Sequence, residues 1–183
     1  MVNQFIQGRP PKNDKLSEGN EELKKEIDLL PQIADLAKVG TMEVLQHLET
    51  IMEAAGKRRM GSASGKFYGA PMTMADNPIP YGRTLYSPYH SPLQLAFDFF
   101  KDIEHPRFKA LQKMANAKPD SKKYLQQLRD AFYIWCAEHN NCDYFLTLDF
   151  KLIKMINSNK RHTTSVKLVK PSELLLALGV SAK

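Results

Sequence analysis

Cysteine is scarce in this chain: only Cys136 and Cys142 are present, and neither stands beside a second Cys or a His at zinc-finger spacing. That argues against a disulfide framework and against structural zinc, and leaves buried thiols as the expectation. No apolar run approaches the ~18 residues that a bilayer-spanning helix needs. The opening Met1-Val-Asn-Gln-Phe-Ile-Gln-Gly-Arg also lacks a cationic stretch leading into a long apolar one. A soluble, cytoplasmic protein without a membrane partner is therefore expected. The five histidines are dispersed; none forms a metal pair or sits in a nucleophile context, so they read as structural or surface groups.

What the chain does hold is enough for one ordinary core. Its 183 residues, 43% of them hydrophobic and 25% charged, suit a single domain spanning 1–183. A formal charge of +6 favours polyanionic partners. A modest excess of this kind is also common on solvated surfaces, so it supports a nucleic-acid reading without creating one.

Periodicity supplies the architecture. Val2-Asn-Gln-Phe-Ile is followed by Gly8-Arg-Pro-Pro-Lys-Asn-Asp14, a turn-like segment whose prolines forbid continued ladder pairing. A long helix is predicted from Glu21, with Ile27, Leu30, Ala34 and Ala37 on one face and Gly40 as its stop. Thr41 to Gln46 reads as a strand, and Leu48 to Gly56 as the helix that comes after it. Helices are expected again from Pro92, from Pro106, and from Lys122 to about Asn140, where Leu125, Leu128, Phe132 and Trp135 form the buried stripe and Asp130 lies off its centre. Tyr144 to Thr147 reads as a short buried strand, Phe150 to Ile156 as a helix, Val166 to Val169 as a last strand, and Pro171 opens a closing helix. Strands separated by helices argue for an α/β domain with a mostly parallel sheet covered on both faces, a helix-rich α/β/α sandwich.

Residues 57–92 break the pattern and read as a long Pro/Tyr-containing insertion. Gly61-Ser-Ala-Ser-Gly-Lys66 is one residue short of a Walker loop, and Phe67 stands where a Ser or Thr should bind magnesium, so a nucleoside-triphosphate site is rejected. Two readings stay open for the segment. In one, Lys57, Arg58, Arg59 and Lys66, interleaved with Tyr68, Tyr81, Tyr86 and Tyr89, neutralise and stack single-stranded RNA. In the other, the segment is a Pro-rich cover over the core.

Acidic residues at strand ends carry the chemistry. In open parallel sheets, ligands collect beyond the carboxyl ends of the strands. Asp149 comes after the strand ending at Thr147 and Glu53 after the one ending near Gln46, and Asp130 joins them if its helix starts beside that edge. Crowded carboxylates need cations, and hard oxygen donors suit Mg²⁺ or Mn²⁺. Glu49, one helical turn before Glu53, could take its place; Asp143 reads as a helix terminator and is not counted as a ligand.

Asp130-Ala-Phe-Tyr-Ile-Trp-Cys-Ala, followed by Cys142-Asp-Tyr-Phe-Leu-Thr-Leu-Asp149 and Val166-Lys-Leu-Val-Lys-Pro-Ser-Glu-Leu-Leu, resembles the C-terminal half of a PIN domain. The resemblance implies a metal-dependent ribonuclease with a Mg or Mn cofactor. It places Glu53, Asp130 and Asp149 at acidic metal positions, with Thr147 as the hydroxyl beside them. It implies single-stranded RNA as partner and, from family habit, a homodimer or the toxin of a toxin–antitoxin pair whose partner is an antitoxin. The family opens with a strand ending in Asp. Here Val2 to Ile6 resembles the residues immediately after that Asp, so Met1 falls on its position. The expectation is that the first strand and its acid are missing because the chain begins late, and a separate possibility is that Asn3 or Asp14 partly substitutes. A PIN fold kept without full catalysis, as an RNA-binding or protein-interaction module, is the alternative.

Overall fold

The computed structural model describes residues 2–6, 21–56, 66–84 and 87–181. The chain enters through strand β1 (Val2–Ile6) and continues into helices α1 (Glu21–Asp28) and α2 (Leu30–Lys38). The single helix expected from Glu21 is thus two, broken at Leu29. Pro31, in the first turn of α2, has no N–H to give a preceding turn, so the helix restarts there. Gly40 ends α2 as predicted. At φ 76° it sits where a Cβ is strained, and the N–H groups of Gly40 and Thr41 close back on the carbonyls of Ala37 and Leu36 at 3.1 and 3.0 Å.

Strand β2 (Met42–Gln46) and helix α3 (Leu48–Gly56) come next. The segment read as a long Pro/Tyr-containing insertion holds, among its described residues, three short strands: β3 (Lys66–Phe67), β4 (Ala70–Pro71) and β5 (Thr73–Met74). The first two form an antiparallel hairpin through Tyr68 and Gly69, both at positive φ, which a two-residue hairpin turn needs to match strand twist. Beyond them lie helices α4 (Pro92–Lys101), α5 (Pro106–Met114) and α6 (Tyr124–His139), then β6 (Tyr144–Leu146), α7 (Phe150–Asn157), β7 (Lys167–Val169) and α8 (Pro171–Ala177).

One five-stranded sheet runs β5-β2-β1-β6-β7 with every neighbouring pair parallel. The expectation of a missing first strand is corrected here. Val2–Ile6 is itself the central strand, with Gln4 opposite Val44 on one flank and Tyr144 on the other. Asn3 pairs with Glu43 in the amino-terminal half of the strand, away from the edge where it would have to substitute for an acid. Asp14 lies outside the described residues.

Adjacent residues of one strand face opposite ways, and the sheet uses both faces. Leu45, Phe145 and Leu168 join a cluster with Phe100, Phe108, Leu128, Phe132 and Ile156 from α4 to α7. Met42, Val44, Leu146 and Val169 join another with Ile27, Ile33, Leu174 and Leu175 from α1, α2 and α8. Phe132 is the hub of the first, in ring contact with Phe99, Phe100, Phe108, Trp135 and His47. Burying one such ring is worth about 1.5–3 kcal/mol of transfer free energy. Both cysteines are buried and unpaired, as expected. Among the described residues no helix is long and apolar enough to cross a membrane.

Candidate active site at the carboxyl edge of the sheet

The strand order reverses at β1: the chain passes from β1 outward to β2 and β5, then returns to build β6 and β7 on the opposite flank. Segments leaving β2 and β6 therefore emerge on either side of the switch point, at the edge where open α/β sheets receive ligands. His47 and Glu49 lie just beyond β2, and Thr147 and Asp149 just beyond β6.

Each predicted acid has a defined local role. Asp149 is exposed and caps α7, its Oδ1 accepting from the Leu152 N–H at 2.9 Å. Thr147 is buried, and its Oγ1 accepts from the Asp149 N–H at 3.1 Å, so hydroxyl and acid are joined through one turn of backbone. Asp130 is buried in α6 rather than merely off the apolar stripe, and takes the Gln126 side-chain amide on Oδ1 at 2.8 Å. Glu53 is half-buried in α3, and its Oε2 accepts from the Tyr133 hydroxyl at 3.3 Å. Burial, followed by the nearby Glu53 charge, pushes the Tyr133 phenol well above its usual range and keeps it a donor. Lys57, Arg58 and Arg59 lie outside the described residues, and Lys66 opens β3. Asp143 is exposed in the bend between α6 and β6, consistent with its reading as a turn residue.

Among the described residues the most enclosed acid is Glu49, which is fully buried. Its Oε1 accepts from the Arg83 guanidinium at 2.5 Å and from the Tyr81 hydroxyl, while Oε2 is sealed without a hydrogen-bond partner among the described residues. Arg83 is itself buried; its other terminal nitrogen donates to the Pro92 carbonyl at 3.1 Å. Burial, then the bond to Glu49, raises the Tyr81 phenol far above its ordinary value. The Glu49 N–H donates to His47 Nδ1 at 3.0 Å, so this ring carries its proton on Nε2, 2.5 Å from the Asn77 side-chain oxygen. Burial lowers the His47 pKa, with Asn77 and Glu49 opposing.

Sequence reasoning misses Arg83 altogether and misplaces Tyr81. The sequence groups Tyr81 with tyrosines free to stack bases, whereas it turns inward, edge-on to His47 and Phe99, and spends its hydroxyl on Glu49. Tyr68 and Tyr89 remain exposed. No periodic signal marks a loop residue that reaches inward; the one usable cue is His47-Leu-Glu49 at the strand-to-helix junction.

Carboxylate oxygens are the right chemistry for Mg²⁺ or Mn²⁺. Among the described residues, however, no group of three or more His, Cys, Asp or Glu side chains is gathered to hold an ion. Compared with protein-family models, with curated proteins and with solved structures, the chain matches none of them.

Proposed function

We propose that this chain is a PIN-type endoribonuclease, a three-layer α/β/α domain that hydrolyses RNA phosphodiester bonds with Glu53, Asp130 and Asp149 as metal-holding acids and Thr147 beside them. One observation supports the reading above the others: the segments bearing these acids leave β2 and β6 on either side of β1, where the strand order reverses. Asp130 is added from α6, whose Tyr133 reaches Glu53. A divalent ion held there would supply Lewis acidity and an activated water. The chain's own part is to orient the acids. Thr147 fixes the Asp149 backbone, Gln126 holds the Asp130 carboxylate, and the Tyr133 hydroxyl holds Glu53. Cleavage of single-stranded RNA with Mn²⁺ by the wild type, abolished in Asp149→Asn, is the expected result; equal cleavage by both sinks the assignment.

A catalytically silent RNA-binding or protein-interaction module is the second reading, and Arg83 favours it. Its guanidinium already neutralises Glu49 in a sealed pair, and the described acids do not close into a three-ligand group. Mn²⁺ titration calorimetry separates the two: saturable binding lost in Asp149→Asn supports the nuclease, and its absence in wild type supports the module.

A further inference from the structure

Helix α6 is buried on nearly all sides, yet it carries a polar stripe. Gln126, Arg129, Asp130 and Tyr133 recur at three- and four-residue spacing and so share one face. Three of the four have assigned partners: Gln126 holds Asp130, and Tyr133 holds Glu53. Arg129 is different. It is 8% exposed, its Nε is sealed without a hydrogen-bond partner, and among the described residues its guanidinium forms no ion pair. Arg129 shares its helix face with Tyr133, whose hydroxyl reaches Glu53.

Guanidinium does not lose its proton inside a protein, so burial leaves a fixed positive charge whose desolvation is best offset by an anion with oxygens in the plane of its fork. A phosphodiester offers that pair of oxygens. Lys122 and Lys123, exposed in the turn that leads into α6, add positive charge at that end of the helix. We infer that Arg129 is a substrate-binding residue whose guanidinium takes a phosphodiester oxygen pair of single-stranded RNA and holds it beside Asp130. This deepens the nuclease reading and rests on it for the choice of RNA over other polyanions.

The test is RNA affinity without divalent ions, kept apart from cleavage. Fluorescence anisotropy of a labelled single-stranded oligoribonucleotide in EDTA is measured for wild type, Arg129→Gln and Arg129→Lys across a salt series. Arg129→Gln should bind about tenfold more weakly, as expected for loss of one charge-assisted contact. The slope of log affinity against log salt should also fall by about 0.7, the share of one single-strand phosphate. Arg129→Lys should keep the slope and lose part of the affinity, since it retains charge without the fork. A purely structural role would lower the melting temperature without moving the slope. If Arg129→Gln fails to fold, Arg129→Lys decides, and affinity equal to wild type overturns the inference. Unchanged affinity and slope in Arg129→Gln, or no RNA binding by wild type, overturn it too. Reduced affinity without any cleavage by wild type upholds Arg129 and removes the nuclease; cleavage with unchanged Arg129→Gln affinity does the reverse.

Discussion

Removing Arg83 should be far more damaging than removing an ordinary surface arginine. Its partner Glu49 is fully buried, one carboxylate oxygen has no hydrogen bond among the described residues, and Arg83 supplies the matching charge at 2.5 Å. Truncating one member of such a pair leaves an uncompensated charge and costs about 3–5 kcal/mol, whereas an exposed pair contributes about 0–1 kcal/mol. For a domain of this size, that loss lowers the melting temperature by roughly 6–20 °C. Arg83→Met is the suitable change because it keeps side-chain length and removes charge. Glu49→Gln in the same molecule removes the stranded charge, so the double variant should recover stability, with a coupling of about 1–3 kcal/mol in the cycle. Guanidinium chloride titrations, read by the fluorescence of the single tryptophan, Trp135, which is buried against Phe108 and Phe132, compare all four proteins. A loss below about 1 kcal/mol for Arg83→Met, or a double variant less stable than either single one, would refute the claim that this pair is sealed from water.

Phe132→Ala, at the hub of the larger aromatic cluster, should cost about 3–5 kcal/mol in the same titration; a loss under about 1 kcal/mol would mean the ring is not packed as described. The lowered pKa of His47 makes the folded state bind fewer protons than the unfolded chain, so its contribution is complete above the ordinary value of 6.5 and is lost as pH falls through the lowered one. Denaturation midpoints taken from about pH 7 down to about pH 5, the span in which histidine charge changes, should therefore fall in wild type and fall less in His47→Gln; parallel curves reject the assignment. Burial raises the Cys142 thiol to about 12 and the Cys136 thiol well above its ordinary value. Both should react with a chromogenic disulfide only after denaturant is added, and rapid titration of the native protein contradicts that.

The helices and the longer strands are legible in the sequence because each carries a repeated burial signal. Gly40 and Pro171 mark a helix stop and a helix start for the reasons the structure shows. Strands of two residues carry no period, which hides β3, β4 and β5 inside a Pro-rich stretch. The break at Leu29 is readable in principle, since Pro31 stands in plain view within the expected helix. Likeness rather than pairing capacity places Val2–Ile6 in the sequence, and so its central position is overlooked there. Among the candidate site residues, Asp130, Thr147 and Asp149 stand out in the sequence because periodic elements frame them. Arg83 and Tyr81 cannot, because they act on Glu49 from a segment more than thirty residues away, and only the fold brings them there.

The position of β1 also governs how the protein can be made. On one flank its partner β2 is synthesised soon after it, but Gln4 meets Tyr144 on the other, so the nascent sheet waits for β6 with one side of its middle strand unmatched. At roughly 5–20 residues per second, the interval of 140 residues from Gln4 to Tyr144 takes about 7 to 28 seconds. Throughout it, the ribosome-bound chain displays open strand backbone of the kind that recruits chaperones or joins to other chains.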